Sequence, residues 1–351
     1  MNYSLKNILL FCSMITTTFF NAQKKTEDFS ISLPDQKPEK SYYKTLRLID
    51  ARTDTTSLGI VQKGAFNTKA KVVPATPLSG QFQNLLNHLD NGTAEDGTAV
   101  MYLKQLYFAE LTGAFSEHGY CYFQAYLFAK NDDGTYSYLD KIDSVIDHSS
   151  MDVTKATMKK GSDMVSNFIS RNISKKAAST DQYSFADLKN FDNIEKQKLN
   201  LYSASELQDG IYPDYASFRD QKPTKQLTNV KFYGKSPKII KIYEAEEGKE
   251  KEIRKNNIYA IVYKGNPYLH LSIEDAFTPA EKKDGDFYFT GKIKSTAKTG
   301  DVVLASAFFG IIGGLIASGP SSTLFEQKLD YMNGGFIPLK EVSNKRTAPQ
   351  P

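Results

Sequence analysis

Histidine and cysteine are scarce in this chain, which narrows its chemistry from the start. Its 351 residues hold four His and two Cys. His118 and Cys121 have the spacing of a metal-binding pair. On a regular strand, however, positions three apart point to opposite faces and cannot share an ion. Cys121 falls on the apolar side and is expected to be a buried thiol. The loop containing Asp90, Asn91, Glu95 and Asp96 supplies the oxygen ligands that calcium prefers. It lacks the alternate-residue spacing of a calcium loop, and polar helix-to-strand connections share its composition.

The remaining motifs fail on spacing. Ser295-Thr296-Ala297-Lys298-Thr299-Gly300 contains both S-x-x-K and K-T-G. In serine β-lactamases these come from separate elements that meet in space, whereas here one lysine would serve both. Gly285 to Lys292 (GDFYFTGK) puts five residues between its glycines and Ile293 where a phosphate-binding loop needs Ser or Thr. No catalytic, cofactor-binding or metal-ligating set is therefore assigned, and no cofactor is implied. Lys and Arg total 44 against 40 Asp and Glu, so the net charge is +4, too balanced for a nucleic-acid partner. The mixed-sign run Glu246 to Lys255 reads as a solvated hairpin or loop. Tyrosines along residues 120–138 offer a face for a sugar or a peptide, or a surface for a helix or second sheet to cover.

The N-terminus carries an address. Lys6 precedes the apolar run Ile8 to Phe20, and Ala22 offers a cleavage point, so residues 1–22 read as a signal peptide. Leu9-Leu10-Phe11-Cys12 imitates a lipobox, but Phe11 is too bulky before a lipidated Cys. The FNAQ ending resembles exported proteins of the Bacteroidota. Once cut, the chain keeps only Cys121 and has no intramolecular disulfide. Its expected location is the periplasm, the outer membrane or the medium.

The elements that would position any site follow from periodicity. Residues 23–42 are polar and read as a tether. Strands are expected at Tyr43–Arg52, 98–111, 120–130 and 135–147. In the second of these, Ala99, Met101, Leu103, Tyr107 and Ala109 are expected on one face. Thr76-Pro77 opens a helix with the stripe Leu78, Phe82, Leu85, Leu86 and Leu89, and a long helix follows Asp152. This 43–173 unit is an antiparallel sheet with two helices. Residues 174–199 read as a linker and connecting helix, with Ser184 and Asp187 as a capping box. Residues 200–342 carry strand runs at 228–234, 237–244, 256–264, 267–273, 285–294 and 323–340, a β-meander or small barrel. Residues 343–351 read as a disordered tail. The fold class is α+β.

Two resemblances add to this. Leu46-Arg47-Leu48-Ile49-Asp50-Ala51-Arg52 with Leu58-Gly59 resembles the opening of ABC-transporter auxiliary lipoproteins, over about 43–173. Gly210-Ile211-Tyr212, Tyr215, Phe218 and Pro223 resemble the start of a β-meander domain in exported Bacteroidota proteins, over about 200–342. The second resemblance implies architecture and address, with no catalytic residues.

Val302 to Ser318 is uncharged, and Ser306, Gly310, Gly314 and Ser318 would line one face of a helix. It reads either as an apolar excursion packed between strands or as a membrane-inserting or self-associating helix. The expected function is non-enzymatic: an exported cell-envelope protein that binds a protein or polymer or serves in structure or assembly. The alternatives are an unrecognised hydrolase and a protein acting on membranes through 302–318. Nothing in the sequence assigns an oligomeric state.

Overall fold

The computed structural model describes residues 26–63, 68–112, 117–150, 153–178, 180–246, 248–295 and 321–342. Residues 1–22, read above as a signal peptide, residues 343–351, read as a tail, and the 302–318 run with Ser306, Gly310, Gly314 and Ser318 lie outside the described residues. The fold is α+β, built on three sheets. Among the described residues no helix is long and apolar enough to cross a membrane.

The first sheet contains β1 (Thr26–Phe29), β2 (Tyr43–Asp50), β3 (Gly59–Lys63), β4 (Thr68–Pro74), β5 (Gly97–Thr112), β6 (Glu117–Lys130), β7 (Tyr136–Ser150) and β8 (Gln182–Tyr183). It is antiparallel through β5, β6 and β7 and parallel where β2 and β3 meet β5 and where β1 meets β4. Helices α1 (Leu78–Leu89) and α2 (Val153–Ile173) cover its inner face. The α1 stripe is buried as its spacing predicts. Thr76 does not cap this helix. Pro77 takes the cap position without a side-chain bond, and the Thr76 carbonyl accepts from Gln81 instead.

The tether expected over residues 23–42 is corrected. Thr26–Phe29 pairs with β4, and Phe29 and Ile31 lie in the core. Phe29 is the one apolar residue of this strand, so pairing with β4 and burial of that ring, rather than any local pattern, hold an otherwise polar stretch in place. The stretch expected as a linker and connecting helix, 174–199, carries that helical part and packs as an integral layer. It forms β8, α3 (Phe185–Lys189) and α4 (Phe191–Gln197), and Leu188 and Phe191 pack on Val100, Tyr102, Tyr126 and Phe128 of the outer face. The Ser184–Asp187 capping box is present.

A bulge changes the parity of β5. Leu103 pairs with Ala125 and Gln105 with Gln124, so Lys104 is the extra residue. Before it, Ala99, Met101 and Leu103 face the helices; after it, Leu106 and Phe108 do. Tyr107 and Ala109 therefore pack with Tyr120 and Tyr122 on the opposite side, not with Ala99 as their spacing predicts.

The Asp50, Arg52 and Leu58-Gly59 residues have a structural part. The buried Arg52 guanidinium donates to Asp50 at 2.7 and 2.8 Å and to the Ser57 carbonyl at 2.9 Å, clamping the β2–β3 connection. A Cβ on Gly59 would lie 1.9 Å from the Phe108 carbonyl oxygen, so only glycine lets β3 reach β5.

The C-terminal region holds two antiparallel sheets. One comprises β9 (Gly210–Tyr212), β10 (Asn229–Phe232), β11 (Ile239–Glu246), β12 (Lys249–Glu252), β13 (Ala260–Tyr263), β14 (Asn266–Leu271) and β15 (Ala276–Pro279). The other comprises β16 (Glu281–Lys283), β17 (Asp286–Ser295), β18 (Ser321–Leu329) and β19 (Phe336–Glu341). Helices α5 (Asn200–Ser203) and α6 (Tyr215–Arg219) complete the region. Its core joins Tyr212, Phe218, Leu269, Phe287 and Leu329.

Candidate functional site

Two regions concentrate ionisable side chains. The first is a seam on the outer face of the first sheet. The β5 bulge delivers Lys104, and β6 contributes Tyr122, Gln124 and Tyr126 from alternating outward positions. Asp192 and Lys196 lie four apart on α4 and so share a face. The β18–β19 turn brings Asp330, Tyr331 and Asn333.

The contacts close on one another. Lys104 Nζ lies 3.2 Å from both Asp192 carboxylate oxygens, 4.0 Å from Asp330 Oδ1, and 3.7 Å from the Tyr331 ring centroid. Tyr331 donates to Asp192 at 2.8 Å, and Gln124 donates to Asp330 at 2.9 Å. Tyr122 donates to Asp143 at 2.9 Å, and the Asn333 amide donates to Tyr122 at 2.7 Å and to Asp143 at 2.9 Å. Lys196, buried on the same side of α4, reaches Asp286 at 2.6 Å. The turn itself is pinned from behind. Tyr215 donates to the Tyr331 carbonyl at 2.6 Å, and Tyr259 donates to the Gly334 carbonyl at 2.7 Å. Gly334 adopts φ +79°, and a Cβ there would strike the Tyr215 ring.

Burial sets the electrostatics of the seam. Lys104 is held below the ordinary lysine range because desolvation outweighs the pull of Asp330 and Asp192. Tyr122, Tyr126 and Tyr331 are pushed far up by burial, with nearby carboxylates adding to it. Partial burial also raises Asp143, against the hydrogen bonds from Asn333 and Tyr122. Phenols that keep their protons and carboxylates whose oxygens are already engaged make a clamp. Among the described residues the Gln124 amide oxygen is a buried seam atom left without a hydrogen bond.

The second region is a groove of about 1090 Å³ in the C-terminal sheet. It opens where β11 parts from β15, which it pairs only at Ile239 and Phe277. Aliphatic side chains of Ile240, Ile253 and Ile273 line it, and Tyr233 stands at its edge 66 % exposed. Its carboxylates are each matched: Glu252 with Lys241 at 2.6 Å, Asp275 with Lys255 at 2.9 Å, and Glu274 with Lys238. Arg254 and Lys292 also line it and are exposed. Beside it, His270 is depressed by burial, with Asp275 pulling the other way.

No protein-family model and no curated protein matches the chain. Among solved structures, a Xanthomonas campestris protein of family DUF330 is similar at 8 % identity and a TM-score of 0.27, over 41 % of this chain and 90 % of that one. An uncharacterized protein is similar at 12 % identity and a TM-score of 0.21, over 42 % of this chain and 97 % of that one.

Sequence-singled residues fall apart in space. Cys121 is in the core, where burial raises its thiol, while the His118 ring contacts Asp147 at 3.3 Å. Among the described residues no group of three or more His, Cys, Asp or Glu is placed to hold a metal. Asp90 caps its own loop through the Gly92 and Ala94 amides, and Asp96 pairs with Lys44. Tyr120, Tyr122, Tyr126 and Tyr136 are buried, so they give no open tyrosine face. The seam was missed. Its one local signal was Lys104, a lone charge inside the apolar run of β5. Nothing local marked Asp330, which reads as an ordinary residue before an Asn-Gly turn.

Proposed function

We propose that this is an exported cell-envelope protein that acts by binding, with the groove of the C-terminal sheet as its contact surface. The observation that carries the reading is the separation of the two ionisable regions. The charged groups of the seam engage one another or a neighbouring amide or phenol, and none of them lines the groove. The groove is open and combines aliphatic walls with charges, a composition suited to recognition. A hydrolase reading would need convergent acids or a nucleophile and base opening on a cleft.

A photo-crosslinking residue placed at Ile273, and separately at the exposed Leu33, tests this in the producing cells. Crosslinks to an envelope component at Ile273 and not at Leu33 are expected. Crosslinking that is equal at both positions, or absent at Ile273, would remove the groove from the function. Mass analysis of the same material should find a mature terminus near Gln23; an intact Met1 terminus would remove the export reading.

A further inference from the structure

We propose that the groove takes an extended acidic peptide in which carboxylates alternate with aliphatic residues. This rests on the reading of the groove as the binding surface. The argument begins with charge counting. Glu252, Glu274 and Asp275 each already hold a lysine. Arg254 and Lys292 have no ion-pair partner among the described residues, and both side chains are exposed at the groove. The groove therefore presents two surplus cations on a lining that is otherwise internally neutral. Arg254 adds a planar fork suited to a carboxylate, whereas Lys292 acts as a point charge.

The apolar lining selects the class of anion. Ile240, Ile253 and Ile273 are aliphatic, and Ile273 is 43 % exposed despite its size. Branched aliphatic walls match the side chains of a peptide. Nucleic-acid bases stack on flat aromatic platforms, and Tyr233 is the single aromatic side chain that lines this groove. An extended strand alternates its side chains, so aliphatic residues can face the isoleucines while alternate acids reach the rim. Arg254 and Lys292 at that rim supply long-range attraction that salt weakens.

An array of short random peptides, probed with the full mature chain, tests the proposal. Bound sequences should be enriched in Asp or Glu alternating with Ile, Leu or Val. For the best binder, Arg254→Gln with Lys292→Gln should weaken affinity by about tenfold and flatten its salt dependence, since rim charges act through screened attraction. The charge-conserving pair Arg254→Lys with Lys292→Arg should retain most of the affinity. Ile273→Ser should weaken it without changing the salt dependence. Enrichment of neutral or basic sequences would overturn the acidic class. So would tighter binding of polygalacturonate than of any peptide. In both cases loss of binding in Ile273→Ser would leave the groove itself in place. Binding that no groove substitution alters, or no binding of either probe, would overturn the groove reading as well.

Discussion

The seam and the groove are made of the same materials, lysines, carboxylates and tyrosines, yet they invite opposite conclusions. In the seam, Lys104 and Asp330 are almost wholly excluded from water, and each is held by groups from distant parts of the chain. In the groove, Lys241 and Glu252 pair with roughly half of each side chain exposed. A charge that cannot reach water must be matched by the protein, so the seam fixes geometry. A charge in water is free to change partner, so the exposed Arg254 and Lys292 remain available, whereas Glu274 of the same groove, 7 % exposed, is held by Lys238. Burial and the partner inventory separate these roles; residue type does not.

The largest effect that would sharpen this contrast is expected at alkaline pH. Burial raises the phenols of Tyr43 and Tyr120 to about 12, from 10.0 in the unfolded chain. Because the folded values are the higher ones, their contribution is complete below pH 10 and is lost as pH rises from 10 towards 12. Phenolate absorbance and far-UV circular dichroism should therefore change together above pH 10. Ionisation of these buried phenols while the fold persists would break the picture of side chains sealed from water on both faces of the first sheet.

Next in size is the loss of Asp330. Asp330→Ala leaves the Gln124 amide and Lys104 short of an acceptor, and should cost about 3–5 kcal/mol in urea unfolding with an unchanged m-value. A cost below about 1 kcal/mol would place the seam in the same class as surface pairs. A cycle built on Lys104→Met and Asp192→Leu should then show coupling of about 1–3 kcal/mol, the double change costing less than the two singles summed. Simple additivity would mean that Lys104 draws its stabilisation elsewhere.

The smallest effects belong to the groove. Lys241→Met should cost under about 1 kcal/mol, and the Arg254→Gln with Lys292→Gln pair should stay within about 0.5 kcal/mol of the parent. Unfolding midpoints measure both. A large loss from either would mean that the groove charges support the fold, and the comparison with the seam would fail.

Much of the architecture was legible because its causes are local. The alternation Cys121, Phe123, Ala125, Leu127 and Ala129 places β6 correctly against the helices, and the α1 stripe does the same for its own face. The capping box of Ser184 and Asp187 is visible in a few residues. Phe29 was hidden because averaging over a polar stretch masked a four-residue strand. The parity of Tyr107 was hidden because a bulge has no fixed sequence signature.

By itself, then, the sequence determined the α+β class, the sides of its regular strands and helices, and the absence of the spaced motifs that known chemistries require. Tertiary structure decided which charges became structural and which remained available. Lys104 meets Asp192 across 88 positions and Gln124 meets Asp330 across 206, distances over which no local pattern can report. Bringing such groups together removes water from them, and that loss of solvation makes the seam a clamp. Arg254 and Lys292 kept their water because β11 diverges from β15 beside them, a property of strand pairing that no residue carries alone.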